Sequence, residues 1–160
     1  MAKLARTRNT LGENARLTSV DLLNAALADL MDLTNGVRMA HWTVRGPNFA
    51  ALHAQFEEFY NQLGTAVDDT AERIVQLGGT PSGTTQAVGS TTRLAPYPAD
   101  LRDGMAHVAA LAERYAALAE TTRKAIDAAA EAGDADTADL FTGTSRMLDK
   151  ALWMLEAHLD

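Results

Sequence analysis

From Phe49 to Leu77 the large apolar residues return at the period of an α-helix, and no proline interrupts them. Each helical residue turns the chain by about 100° and raises it by about 1.5 Å. On that geometry Phe49, Leu52, Phe56, Phe59, Tyr60, Leu63, Val67, Ile74 and Leu77 fall within roughly one 100° arc, the core stripe of an amphipathic helix. Such a stripe, ~44 Å long, has to be covered by other helices of similar length, so the chain is expected to fold as an all-α bundle.

Beside the stripe lies a second arc, from about 40° to 140°, that carries His53, Glu57, Asp68 and Glu72 together with Ala50, Ala54, Gly64, Ala71 and Val75. His53 and Glu57 stand about 16–28 Å along the axis from Asp68 and Glu72, too far for one metal ion. The four positions are nevertheless symmetric: 53 with 72, and 57 with 68, share a midpoint between Gln62 and Leu63. Two copies packed antiparallel about that point would set His53 against Glu72 of the partner subunit, and Glu57 against Asp68 of the partner subunit. Self-complementary contacts of this kind define an isologous dimer interface. Gly64 beside the midpoint suggests close backbone approach, because a helix-interior glycine costs about 1 kcal/mol relative to alanine. His41, just before the turn that leads into this helix, joins the His53 end. Taken singly, each carboxylate has an ordinary reading as solvated surface. Taken together, the five residues describe a metal site shared between two subunits, with imidazole and carboxylate donors that suit iron, manganese or zinc.

The flanking sequence completes the bundle. Thr18 is expected to cap the first helix, with Asp21 completing a capping box and Leu17 and Leu22 a hydrophobic staple. Gly46 and Pro47 end it, so the first two helices are antiparallel neighbours across a short turn. The second runs from Asn48 to Leu77 and stops at Gly78-Gly79. Residues 78–97, rich in Gly, Ser, Thr and Pro, can reach about 66 Å when extended. They can therefore travel the length of the bundle, carry one short helix near Thr85–Gly89, and start a third long helix parallel to the second. That helix is expected from about Pro98 to Glu131, and a fourth from Asp134 or Asp136 to the C-terminus, with Leu140, Met147, Leu148, Leu152 and Leu155 as its apolar face. The fold expected is a four-helix bundle with one long crossover carrying a short extra helix, the ferritin-like arrangement. Residues 1–16 read as a flexible basic tail and residues 17–160 as the single bundle domain.

Composition narrows the function. With no cysteine, thiolate metal sites, disulfides and cysteine nucleophiles are excluded. No apolar run is long enough to span a membrane, no hydrophobic leader opens the chain, and cytoplasmic residence is expected. The net charge of −7 disfavours nucleic acid on the body of the protein, although Lys3, Arg6, Arg8 and Arg16 against Glu13 give residues 1–16 a net +3. No phosphate-binding loop or hydrolase nucleophile motif is present.

The segments HWTVRGPNFAALH, DDTAERIVQLGG and DTADLFTGTSRMLDKALWMLEAHL resemble the Dps family of mini-ferritins, over residues 17–160. The resemblance implies a ferroxidase that oxidises ferrous iron, preferentially with hydrogen peroxide, between two-fold-related subunits. It also implies storage of ferric mineral in a hollow dodecamer and protection of DNA from oxidative damage. It would take His41 and His53 from one subunit and Asp68 and Glu72 from its partner, with Glu72 as the bridging ligand. Glu57 stands where the family often has aspartate. The Glu-x-x-His pairs of a di-iron centre inside a bundle occur nowhere in the chain. By the same resemblance Trp42 would intercept stray oxidising equivalents, against an ordinary reading as a packing aromatic, and Glu131, Asp134, Asp136 and Asp139 would line an iron-entry pore, against an ordinary reading as helix cap and solvated acids. His107 and His158 show no partner at ligand spacing, and Trp153 reads as core or interface. Lys3, Arg6 and Arg8 would give at most weak DNA association. The alternative function is a nucleoid-packing or structural shell protein whose metal site is incidental.

Overall fold

Among the described residues every named element is a helix. A computed structural model describes residues 4–159, and within them α1 spans Glu13–Thr43, α2 Phe49–Gln76, α3 Thr85–Thr91, α4 Gly104–Glu131 and α5 Ala135–Glu156. α1 packs along α2 and α4 along α5; the two hairpins meet through α1 against α4 and α2 against α5, and the short α3 lies on α1. Direction follows from one junction. The Arg45 N–H donates to Arg102 O at 2.8 Å, and the Gly104 N–H donates to Arg45 O at 3.2 Å. α4 therefore starts where α2 starts and runs parallel to it, which makes residues 77–103 the long crossover of a ferritin-like bundle. At Gly104 a Cβ would stand 2.7 Å from Leu52 Cδ1, so any larger residue would have to displace that buried side chain for the crossover to dock this close to α2.

Two contiguous apolar clusters fill the bundle. One gathers Leu30, Leu33, Val37, Leu52, Phe56, Phe59, Leu63, Val108, Leu111, Tyr115, Leu118, Leu148 and Leu155. The other gathers Val20, Leu23, Leu27, Ile74, Leu77 and Phe141. The α2 stripe thus faces inward, but its first member does not. Phe49, in the first turn of α2, is 48 % exposed and stacks on His53.

The element ends depart from expectation in instructive ways. α1 begins at Glu13 with Gly12 at its N-cap, so Thr18 lies inside the helix and the capping box at Thr18–Asp21 does not cap it. Its early start has a tertiary cause. Arg16 donates from Nε to Leu11 O at 3.3 Å and from Nη1 to Leu77 O at 3.1 Å. The latter carbonyl closes the C-terminal end of α2, where a cation is favoured. Residues 13–16 therefore belong to the bundle, not to a tail ending at 16. Further back, the Ala5 N–H donates to Gly78 O at 2.7 Å, and Leu4 and Leu11 pack on the second cluster. Gly78 has φ +87° and a Cβ there would meet Ala5 O at 2.6 Å, so the strap needs glycine twice over. Lys3 lies outside the described residues. α4 begins at Gly104, not Pro98: the Asp103 carboxylate caps it, accepting from the Ala106 N–H at 2.9 Å.

The crossover is lashed down by charge. Asp29, fully buried on α1, accepts from the Arg93 N–H at 2.7 Å and from Arg93 Nε at 2.8 Å. Asp32 accepts from the Thr92 hydroxyl at 2.8 Å and pairs with Arg114 of α4 at 3.1 Å. Among the described residues no helix is long and apolar enough to cross a membrane.

Candidate metal centre

His41 ends α1 and His53 opens α2, and the tight turn between these antiparallel helices brings the two rings face to face. Their centroids are 3.8 Å apart with planes inclined by 22°. Each ring is bound to the other's backbone: His41 Nδ1 donates to His53 O at 2.8 Å, and His53 Nδ1 donates to His41 O at 2.8 Å. A carbonyl only accepts, so the proton of each ring sits on Nδ1 and the lone pair of each neutral ring on Nε2. This is the second-layer bonding that fixes tautomer and ring direction in metal-ligating histidines, with backbone carbonyls as the acceptors. Phe49 stacks on His53 at 5.2 Å, and Tyr60 meets His41 edge-on at 5.6 Å. The Arg38 guanidinium lies 5.2 Å over the Tyr60 ring, which holds that ring against the pair.

Glu57, Asp68 and Glu72 are all exposed on the outer flank of α2. Among the described residues none of the three makes a hydrogen bond or ion pair, and no three His, Asp or Glu side chains of the chain converge to hold a metal ion. The structure therefore unites His41 with His53 and leaves the three carboxylates further along the helix unengaged. Gly64 is exposed, and within one subunit no atom lies within 4 Å of where its Cβ would stand. Two large apolar side chains are also exposed, Trp42 near the end of α1 at 65 % and Val75 near the end of α2 at 58 %. Trp42 is therefore not packed within its own subunit, and neither is Trp153, also 65 % exposed.

The acidic cluster at the α4–α5 turn resolves differently. Asp134 is buried; it caps α5 through the Thr137 N–H at 3.1 Å, accepts the Thr137 hydroxyl at 2.6 Å and pairs with Arg73 Nη2 at 2.7 Å. Burial alone would raise its pKa, but the bonds from Thr137 and the Arg73 guanidinium outweigh it and hold the carboxyl below the ordinary value. Asp134 is a structural cap, which removes it from any pore lining; Glu131, Asp136 and Asp139 remain exposed.

Sequence spacing missed one polar cluster. His107 is buried, with Tyr97 Oη at 2.6 Å from Nδ1 and Thr43 Oγ1 at 3.2 Å from Nε2. Its partners lie 10 and 64 residues away on the crossover and on α1, separations that no helical period reports. Burial holds its pKa below the ordinary imidazole value.

Known proteins resemble this chain along nearly its whole length. The Ferritin family model, a ferritin-like domain, matches residues 20–160. The DNA protection during starvation protein of Agrobacterium fabrum is 49 % identical over 158 residues, covering 99 % of this chain and 98 % of the relative. DpsA14 from Streptomyces coelicolor superposes with a TM-score of 0.94 at 31 % identity, over 99 % of this chain and 94 % of that one. A Vibrio cholerae Dps protein, described as a member of a broad superfamily of ferritin-like diiron-carboxylate proteins, superposes with a TM-score of 0.91 at 29 % identity, over 99 % and 100 % of the two chains. A ferritin-like bundle over residues 20–160, together with a curated relative of that identity along nearly the whole length, makes this chain a member of the Dps family of ferritin-like proteins.

Proposed function

We propose that this protein oxidises ferrous iron, preferentially with hydrogen peroxide, at two sites per two-fold dimer, each built from His41 and His53 of one subunit and Asp68 and Glu72 of the other. Glu57 contributes a ligand or orients a water. Ferric product is stored inside a hollow dodecamer, and DNA is protected because peroxide and ferrous iron are consumed together. The observation that carries this reading is the reciprocal His41–His53 clasp. Among the described residues it leaves both Nε2 atoms without a hydrogen-bond partner, while exposed carboxylates on the same helix also lack one.

The chemistry follows from the donors. Carboxylate oxygens stabilise ferric iron as it forms, and a sparse ligand set leaves room for peroxide. Two ferrous ions held together give one electron each to one peroxide, so the O–O bond breaks in a single two-electron event and no hydroxyl radical is released. Gly64, with open space over it, suits an antiparallel α2 of a second copy. The test is anaerobic ferrous iron plus peroxide, followed as ferric absorbance, with light scattering of the particle. Fast ferric formation surviving both Asp68→Ala and Glu72→Ala, or a monomer-sized particle, would overturn the reading.

DNA contact is a secondary reading. The DNA-protection wording belongs to the relatives' names. Here Arg6 and Arg8 are exposed, but the strap at Ala5 ties their segment to the end of α2. Few phosphates are within reach of so short an arm, and affinity scales with the phosphates neutralised. Multiplied over an assembly, the arms give weak, salt-sensitive association.

A further inference from the structure

The last turn of α1 ends on a carbonyl that the histidine pair uses. Val44 leaves the helix with ψ 137°, while its N–H still donates to Ala40 O at 2.9 Å. One more helical residue would give His41 O the Arg45 N–H, but that N–H donates to Arg102 O at 2.8 Å. His41 O is thus one of the carbonyls a helix end leaves open, and it accepts from His53 Nδ1 at 2.8 Å. Where α1 stops therefore decides where the His53 proton sits.

His107, in the first turn of α4 and 1 % exposed, holds that end of α1 from inside. The Thr43 hydroxyl donates to Met39 O at 2.7 Å, so Thr43 Oγ1 accepts from His107 Nε2–H at 3.2 Å. Burial favours the neutral ring, whose Nδ1 then accepts from the Tyr97 phenol at 2.6 Å. Tyr97 is itself fixed in place. A Cβ at Gly36 of α1 would stand 3.2 Å from its Cδ2, and the Arg114 guanidinium lies 5.7 Å over its ring. His107 also meets Phe56 edge-on at 6.4 Å, and Phe56 lies one turn beyond His53 on α2. One buried imidazole touches both helices that carry the paired histidines, and both its nitrogens are occupied.

We propose that His107, oriented by Tyr97, is a positioning residue for His41 and His53. Its bond to Thr43 fixes the last turn of α1, and the His41 carbonyl in that turn keeps the His53 proton on Nδ1 and the lone pair on Nε2. His41 stands between Met39 and Thr43, the two residues that the hydroxyl bond joins. Without the His107 donor the turn loosens and His53 Nδ1–H loses its fixed acceptor. The proton then distributes over both nitrogens, and a ring protonated at Nε2 cannot ligate there. The purpose of this arrangement rests on the metal centre proposed above, but the proton position is read in metal-free protein.

Full-length, metal-free assemblies with isotope-labelled histidine are compared by solid-state nitrogen magnetic resonance at about pH 8, above the ordinary imidazole pKa. In the wild type His41 and His53 are expected with the proton on Nδ1, and His107 with it on Nε2. His107→Leu and Tyr97→Phe, the second removing a single hydroxyl, should each give His53 a mixture of tautomers. His107→Gln, whose amide keeps a donor for Thr43, should restore the single form. Cobalt(II), titrated as a probe of the same ligands and followed by visible absorbance, should bind about tenfold more weakly in His107→Leu, the low end of what an orienting partner contributes. In His107→Gln its affinity should return to near the wild-type value. A His53 that keeps its single tautomer in both His107→Leu and Tyr97→Phe overturns the proposal, as does a His107→Gln protein no better than His107→Leu. A wild type that shows the expected tautomers but binds no cobalt(II) overturns the metal centre instead, and the hold of His107 on His53 stands.

Discussion

The outer flank of α2 and the turn between α4 and α5 hold similar side chains in opposite states. At the turn, Asp134 is buried and every interaction is satisfied within the subunit: a helix cap, a hydroxyl and the Arg73 guanidinium. On the flank, Glu57, Asp68 and Glu72 stand exposed and unengaged, and His41 and His53 have only their Nδ1 atoms occupied. Acidic residues engaged within a subunit serve its stability; those left unengaged at symmetric positions are the ones our proposal gives to a second copy and to metal. The difference teaches which titratable groups to assign to folding and which to function.

Substitutions can break that division. The largest effect is expected on the flank: Asp68→Ala or Glu72→Ala should slow peroxide-driven iron oxidation by more than the roughly 10–100-fold that loss of an orienting partner costs a metal site. Subunit stability should stay within about 0.5 kcal/mol, as for other surface changes. Stopped-flow ferric absorbance and thermal unfolding read the two quantities on the same variants. At the turn the pattern should invert. Asp134→Ala strands a buried Arg73 and removes a cap, which should destabilise the fold by about 3–5 kcal/mol, with iron oxidation per folded protein unchanged.

Acid sharpens the same contrast. His107 and Asp134 both titrate below their ordinary values of 6.5 and 3.8, so the unfolded chain binds each proton first. Stability should therefore be flat above pH 6.5, decline as pH falls through the imidazole range, and fall again below 3.8. His107→Gln should flatten the upper decline and Asp134→Asn the lower. A melting temperature that rises on acidification contradicts this assignment.

Gly78→Ala forces a left-handed φ on a residue with a Cβ and pushes on Ala5, a cost of about 1–2 kcal/mol. It should free the basic strap and strengthen the weak low-salt gel shift with DNA; deleting residues 1–11, ahead of the Gly12 cap of α1, should abolish that shift. Absence of any shift in all three proteins ends the DNA reading.

Much of this was legible in the sequence where a repeating period carries the information. The α2 stripe, the long crossover with its short helix and the approach of His41 to the His53 end of α2 follow from spacing or from the family motifs. What was not legible depends on partners distant along the chain. α1 starts at Glu13 because Arg16 reaches Leu77, and residues 98–103 stay out of α4 because they turn at Ala99–Asp100 and then pair with Arg45. Neither signal has a local signature that outweighs the plausible caps at Thr18 and Pro98. The His41–His53 clasp is likewise a backbone arrangement, and the buried Asp29–Arg93 and Tyr97–His107 bonds join segments that no helical wheel compares.

The central claim, that each metal site takes its imidazoles from one chain and its carboxylates from another, is tested most directly by complementation. His41→Ala/His53→Ala and Asp68→Ala/Glu72→Ala subunits are each expected to be inactive alone. Co-expressed and purified as mixed assemblies, they form heterodimers in which one site regains all its ligands, and peroxide-driven iron oxidation should return. Mixed assemblies that stay as inactive as both parents would contradict a site divided between subunits.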